Sequence, residues 1–160
     1  MKKIALIVAM SGCFAAQAAD NLKFHGTLIS PPNCTISNGN TIEVEFGDVL
    51  INKIDGTRYI QDVPYEITCD STVRDESMAM TLTLTLSGAA SGFNTAAIST
   101  NVPGLGIELQ QNGEPFTLGS TITVNEQSIP TLKAVPVKQS GAALREGEFD
   151  GTATLQVDYQ

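Results

Sequence analysis

Residues 149–160 read FDGTATLQVDYQ and form the most regular alternation of apolar and polar side chains in the chain. Successive side chains of a β-strand point to opposite faces, so this pattern predicts a strand with one apolar face. That face carries Phe149, Gly151, Ala153, Leu155, Val157 and Tyr159. Because an apolar strand with an unpaired edge recruits other chains, we expect something to cover the edge of this strand.

The same alternation recurs upstream and organises the rest of the chain. Apolar side chains take every second position in three segments, which contain Ile42, Val44 and Phe46, then Val63, Tyr65, Ile67 and Cys69, then Met80, Leu82, Leu84 and Leu86. Shorter strands are predicted over residues 105–109, 121–124 and 132–137, with turns at Pro103-Gly104 and Asn112-Gly113 between them. No segment has the pattern of a long amphipathic helix, so the sequence predicts an all-β sandwich.

The composition is that of one globular domain with an acidic surface. Of the 160 residues, 42% are hydrophobic and 16% are charged, with 17 acidic and 9 basic side chains and a net charge of −8. A chain of this length is expected to fold as one domain. Its negative charge opposes binding to nucleic acid and to anionic membrane surfaces, so we expect neither as a partner.

The first 18 residues have the layout of a secretory signal peptide. Lys2 and Lys3 precede an apolar run over residues 4–10, and Ala16-Gln17-Ala18 places small residues at the two positions that a signal peptidase reads. We therefore predict cleavage after Ala18, with cleavage after Ala19 as the alternative. The apolar run is too short for a membrane anchor, which needs about 20 residues. Cleavage removes two lysines and leaves 142 residues with a net charge of −10.

The predicted mature chain keeps two cysteines, Cys34 and Cys69, because Cys13 leaves with the signal. In an exported protein such a pair indicates an intramolecular disulfide. Closing a loop of this length would stabilise the fold by about 3–4 kcal/mol in the chain-entropy model. A redox or zinc pair is the alternative, but neither a CxxC spacing nor clustered histidines support it.

A second alternating segment begins the predicted mature chain. Leu22, Phe24, Gly26 and Leu28 would share one face, with Asn21, Lys23, His25 and Thr27 on the other, before Pro31-Pro32 interrupt any regular ladder. The segment is either the first strand of the sandwich, with Gly26 at a bulge, or a detachable strand that inserts into a neighbouring molecule. Strands that can pair at both ends of one chain would suit head-to-tail assembly into a fibre.

The ordered features of the chain resemble the chaperone–usher pilins, which are subunits of Gram-negative fimbriae. The resemblance rests on DNLKFHGTL at residues 20–28, PPNCTI at 31–36, IEVEFG at 42–47, Cys69, and ATLQVDYQ at 153–160. Its N-terminal part is most similar to minor, tip-proximal subunits of P-type pili. The resemblance implies an immunoglobulin-like sandwich that lacks its final strand and has an apolar groove in its place.

The resemblance also implies how such a domain is completed. A periplasmic chaperone would first donate a strand, and at the outer-membrane usher the N-terminal extension of the next subunit would replace it. Residues 19–30 would be that extension and 31–160 the pilin domain. Leu22, Phe24, Gly26 and Leu28 match its groove-facing positions, with Gly26 where a side chain would obstruct close approach. The strand ending at Tyr159 matches the groove edge that the chaperone grips, and Cys34 and Cys69 match the family disulfide. The mature chain would pass through the periplasm to a fimbria on the cell surface.

Other functions have less support in the residues. His25 is the single histidine and lies on the outward face of the N-terminal segment, without a cysteine or carboxylate at motif spacing. The acidic residues Glu43, Glu45, Asp150 and Asp158 are predicted on the solvent faces of strands. We therefore expect no enzyme, no metal site and no cofactor. A stand-alone carbohydrate-binding adhesin remains the alternative, although the chain has no Trp and only three Tyr for stacking on sugars.

Overall fold

The computed structural model describes residues 22–28, 30–70, 81–125 and 128–159, and these residues form eleven β-strands and two short 3-10 turns. The predicted signal peptide and Met80 lie outside the described residues. The 3-10 turns span Ser37–Gly39 and Ile51–Lys53. The strands are β1 Cys34–Ile36, β2 Gln61–Asp62, β3 Ile67–Cys69, β4 Leu82–Gly88, β5 Ala90–Ser91, β6 Asn94–Ser99, β7 Leu105–Gln111, β8 Glu114–Pro115, β9 Thr121–Val124, β10 Leu132–Lys138 and β11 Ala153–Tyr159.

The strands form two packed sheets and a short ribbon, and each ladder among the described residues is antiparallel. The larger sheet has the order β2-β10-β7-β6-β5, with β8 beside β7, and the smaller sheet has the order β11-β4-β9. Strands β1 and β3 pair with each other and with no further strand that the structure describes. This arrangement confirms the predicted all-β sandwich.

The core lies between the facing sheets. Leu84 and Leu86 of β4 and Leu132 of β10 are fully buried there, and burying side chains of this size contributes about 1.5–3 kcal/mol each. The alternation that predicted β4 is therefore the alternation that fills the core. Thr83 lies between Leu82 and Leu84 in sequence, and its hydroxyl donates a 3.0 Å hydrogen bond to the carbonyl oxygen of Asp158 on β11.

Two predicted strands are extended segments that lack a ladder over much of their length. Residues 41–47 alternate between exposed and half-buried positions, as predicted, but they pair with no strand among the described residues. The segment over 63–69 pairs only at β3, its C-terminal end. An apolar face is enough to produce alternating burial, whereas a ladder also needs a neighbouring edge. The described structure has no free strand edge next to residues 41–47 with which they could pair.

The hairpin formed by β5 and β6 was not predicted from the sequence. Its strands contain Ala90, Ala96 and Ala97 in place of large apolar side chains, so the two-residue alternation is weak. Ala97 and Ile98 are adjacent in sequence and both buried, which shows that the two faces of this strand are covered at that point. A strand covered on both faces does not display the alternating pattern.

Cys34 and Cys69 form the predicted disulfide. They lie directly opposite each other in the β1–β3 ladder, which has three residue pairs. The bond therefore fixes β1, which has no other ladder partner in the described part of the chain, to the residue 35 positions further on.

We expect Tyr65 to make the stability of the fold sensitive to alkaline pH. Burial raises the pKa of its phenol from 10.0 to about 12, and the neutral phenol donates a hydrogen bond to the carbonyl oxygen of Pro130. The unfolded chain ionises first, so this contribution is intact below pH 10 and is lost as the pH rises towards 12. Urea midpoints measured by circular dichroism should fall over that interval.

Tyr65→Phe should flatten this fall and lower the free energy of unfolding by about 1 kcal/mol at pH 7. Tyr59→Phe is the control and should show the same fall as the wild type. An unchanged alkaline slope in Tyr65→Phe would exclude this explanation.

Candidate functional site

The C-terminal strand β11 has one edge paired and one edge open. Over its seven residues it pairs with β4, from Ala153 opposite Gly88 to Tyr159 opposite Leu82. The other edge carries no ladder among the described residues. The sequence predicted that something has to cover the edge of this strand. No strand among the chain's described residues pairs with that edge.

An apolar groove runs along this open edge. It has a volume of about 560 Å³ and lies between β11 and the extended segment 41–47. It is lined by Gly151 and residues 153–157 on the β11 side, by residues 39–42, Val44 and Phe46 of the opposing segment, by β1, and by core residues of both sheets at its floor. The side chains that define it include Ile42, Val44, Leu155, Val157, Leu86 and Ile107.

The groove continues into a second cavity beyond the start of β11. This cavity has a volume of about 810 Å³ and shares Val44 and Phe46 with the groove. The ring of Phe46 packs against that of Phe149, with 5.9 Å between the ring centroids. Phe149 precedes β11, whereas residues 41 and 42 line the groove beside β11 itself. Segment 41–47 therefore runs antiparallel to β11.

Two polar residues, Asn101 and Asp150, fix the position of the chain just before β11. The side-chain oxygen of Asn101 accepts a hydrogen bond from the backbone N–H of Asp150 at 3.0 Å, and the Asn101 amide donates to a carboxylate oxygen of Asp150 at 3.1 Å. The backbone N–H of Asn101 also donates to the carbonyl oxygen of Asp150, at 3.1 Å. These bonds hold the chain just before β11, and no sequence motif indicated this role for Asn101.

The outer rim of the groove is polar and mainly acidic. Glu43 and Glu45 project from segment 41–47, and both are exposed, as the sequence predicted. On the opposite wall, the side-chain amide of Gln156 donates a 2.9 Å hydrogen bond to a carboxylate oxygen of Asp158, which is also exposed. A strand that entered the groove would therefore place its apolar side chains inward and its polar side chains among these carboxylates.

The N-terminal segment 22–28 is separate from the sandwich. It forms no ladder in the described structure, and the exposed fractions of Leu22, Phe24 and Leu28 are 69%, 85% and 102%. It therefore pairs with no strand among the described residues, and its role as a detachable strand stays a prediction. A side-chain carbon added at Gly26 would meet nothing within 4 Å, so nothing in the described part of this chain requires a glycine there.

The structure brings some of the predicted residues together and leaves others apart. The structure places Gly151, Ala153, Leu155, Val157 and Cys34 in the lining of the groove and Phe149 in the lining of the second cavity, whereas Tyr159, Leu22, Phe24, Gly26 and Leu28 do not line the groove. Ile42 and Val44 were predicted as a strand but not as the opposing wall. The floor residues Ile98, Ile107 and Leu109 carry no sequence signal that separates them from ordinary core residues.

The described residues offer few groups for other chemistry. They contain no group of three or more histidine, cysteine, aspartate or glutamate side chains that could hold a metal ion. His25 is exposed on segment 22–28. Neither of the short 3-10 turns, nor any other helix in the described ranges, is long and apolar enough to cross a membrane.

Comparisons with known proteins agree on one family. A family model described as fimbrial protein matches residues 22–160. The fimbrial-like protein YfcQ of Escherichia coli strain K12 is 48% identical over 162 aligned residues, which cover 99% of each chain. The P pilus rod subunit PapA superposes with a TM-score of 0.61 at 25% identity, covering 87% of this chain and 99% of PapA. The P pilus adaptor subunit PapF superposes with a TM-score of 0.57 at 28% identity, covering 81% of this chain and 97% of PapF.

Proposed function

This chain belongs to the fimbrial protein family, and on that basis we propose that it polymerises by donor-strand exchange as a minor or adaptor subunit of a fimbria. Its fold is that of the P pilus subunits, and members of the family are structural subunits exported to the cell surface of Gram-negative bacteria. The groove along β11 receives a strand from another molecule. Segment 22–28 is the strand that this chain donates.

The single observation that carries the proposal is the open edge of β11 beside an apolar groove. An added strand would gain main-chain hydrogen bonds from β11 and burial for its alternate side chains, which is the general mode of β-strand addition. The exposed apolar side chains of segment 22–28 supply such a strand. One chain thus presents both an acceptor and a donor, and a contact of this kind between successive molecules propagates as a fibre.

The proposed partners follow from the same geometry. Before assembly the groove would expose the apolar side chains that line it, which favours aggregation. We propose that a periplasmic chaperone covers it by donating a strand, and that an outer-membrane usher exchanges that strand for the segment of a neighbouring subunit. The adaptor role is supported by the likeness to PapF, which is described as an adaptor of the P pilus.

The test is whether the soluble state of the chain depends on an occupied groove. We expect the mature chain to aggregate when expressed alone and to form a soluble complex when coexpressed with the pilus chaperone of its own locus. Ala153→Arg should lower the yield of that complex at least tenfold. Ala153 lines the groove but is exposed in the chain alone, so an arginine there leaves the fold intact and places a charge in the path of the strand, which costs several kcal/mol.

Thr152→Arg is the matched control, because Thr152 is exposed and does not line the groove. Its complex with the chaperone should form with the wild-type yield, measured by size-exclusion chromatography. Recovery of abundant soluble monomer without any partner would count against an incomplete fold. Equal yields of the two arginine variants would show that the groove is not the binding site.

A further inference from the structure

We propose that a pocket on the outer face of the larger sheet binds one neutral pyranose residue of a glycan, independently of strand exchange. The pocket has a volume of about 340 Å³. It lies between the β5–β6 turn, the loop that joins β6 to β7, and the residue that follows β10. Its volume is at the small end of the range for ligand pockets, which suits a single sugar ring.

The pocket opens away from the groove beside β11. Ile98 and Ile107 point inward, because both line that groove. Side chains alternate in direction along a strand, so the neighbouring Ser99 and Gly106 face outward. Ser99 lines the pocket, and a side-chain carbon added at Gly106 would lie 3.4 Å from a ring carbon of Phe93. A strand in the groove and a ligand in the pocket would therefore occupy opposite faces of the larger sheet.

Hydroxyl groups hold two walls of the pocket in place. The hydroxyl of Thr100 donates a 2.9 Å hydrogen bond to the carbonyl oxygen of Leu105, which closes the loop between β6 and β7. The hydroxyl of Ser91 donates to the carbonyl oxygen of Asn94 at 2.8 Å and accepts from the backbone N–H of Asn94 at 3.1 Å, which closes the β5–β6 turn. Walls that are already fixed lose little conformational entropy when a ligand binds.

Two polar side chains of the lining are available to a ligand. The backbone N–H of Gln139 donates a 2.9 Å hydrogen bond to the carbonyl oxygen of Gly104, which fixes the position of Gln139. Its side-chain amide and the hydroxyl of Ser99 bond to no residue that the structure describes. An amide and a hydroxyl each offer both donors and acceptors. They therefore match sugar hydroxyl groups, which also do both.

The composition of the lining selects the class of ligand. None of the described residues that line the pocket is charged, although the chain has 17 acidic side chains. A charged ligand would find no counter-ion there, and a wholly apolar one would cover Ser99 and Gln139 without bonding to them. The half-buried ring of Phe93 supplies an apolar surface. A pyranose combines an apolar C–H face with hydroxyl groups at its edge, so it can use both the ring and the polar side chains.

The experiment measures binding of the methyl glycosides of galactose, mannose, glucose and N-acetylglucosamine to the mature chain by ligand-observed NMR. The sample is the soluble chain, in complex with its chaperone where it needs one, and the chaperone alone is the blank. We expect at least one glycoside to bind with a dissociation constant on the order of 1 mM.

Two substitutions test the pocket. Phe93→Leu keeps an apolar side chain but removes the ring, and it should weaken binding about tenfold. Gln139→Ala removes a side chain without a partner in the described structure, and it should weaken binding about fivefold. Gln111→Ala is the matched control, because Gln111 does not line the pocket and its side chain also bonds to no described residue. It should bind like the wild type.

The inference would be overturned if none of the four neutral glycosides bound at about 10 mM, or if Phe93→Leu and Gln139→Ala both left binding unchanged. Tighter binding of N-acetylneuraminic acid, which is an anionic sugar, would overturn the neutral class of ligand. If Phe93→Leu lowered the thermal unfolding temperature, Ser99→Ala would replace it and should weaken binding about fivefold. All of these outcomes leave strand exchange untested and intact, because the groove lies on the other face of the sheet.

Discussion

Gly26→Arg should abolish strand donation while leaving the domain as stable as the wild type. Apart from Gly26 and its two chain neighbours, no atom of the described chain lies within 4 Å of a side-chain carbon placed at Gly26, so the substitution has no packed neighbour to disturb in the donor molecule. In the acceptor it would force an unpaired guanidinium into an apolar groove, at a cost of several kcal/mol. Since each 1.4 kcal/mol is tenfold, we expect polymerisation to slow by at least about 100-fold.

The measurement is the appearance of dimers after mixing the variant with a chaperone-bound partner, alongside the thermal unfolding of its own chaperone complex. Thr27→Arg is the matched control, because it places the same side chain at the next residue, on the face that would remain in solvent. It should polymerise at close to the wild-type rate. If Gly26→Arg polymerised normally, segment 22–28 would not be the donor.

Loss of the disulfide is the second large effect that we expect. Replacing Cys34 and Cys69 with serine should lower the free energy of unfolding by about 3–4 kcal/mol, because the bond closes a long loop in the unfolded chain. The strand β1 depends on it in particular, since its ladder with β3 has only three residue pairs and the described residues give it no second ladder. Cys34 also lines the groove, so strand binding should weaken together with stability.

Urea unfolding of the strand-bound chain would measure the stability, and the affinity for a peptide of residues 19–30 would measure the groove. Reduction of the wild-type chain with dithiothreitol is the control, since it breaks the same bond without changing the sequence and should reproduce both losses. Full stability of the reduced chain would show that the β1–β3 ribbon holds without its covalent link.

The sequence predicted most of the strands for a simple physical reason. A strand with one buried face has to alternate, and β4, β7, β9, β10 and β11 each overlap a segment that the sequence predicted, although β11 begins at Ala153, after Phe149 and Gly151. The sequence pattern missed a strand that is buried on both faces, as β6 is around Ala97, and strands in which small residues replace large apolar ones. It also predicted a strand over residues 42–46, where the structure has the alternation but no partner strand.

The groove could be anticipated only in part. The apolar face of β11 and the need to cover its edge are both visible in residues 149–160. The opposing wall and the floor come from residues distant in sequence, and nothing local shows that Ile107 and Val44 share one cavity with Val157. The second cavity beside Phe149 could not be anticipated as a cavity, because most of its lining lies outside the strands of the structure. An alternating sequence pattern shows which side chains share one face of a strand. Which distant segment lies opposite that face depends on the whole fold.

The position of the disulfide has a mechanical meaning in the fibre proposed above. Tension along a chain of subunits would enter each domain where the donated segment joins it, shortly before Cys34. The disulfide would transmit that tension directly to β3. The hydrogen bonds of β1 would therefore not break one after another. At the other end, the inserted strand would be pulled along β11 in shear, with its whole ladder resisting together. At the disulfide and along the inserted strand, the bonds that link two subunits would therefore have to break together under an extending force.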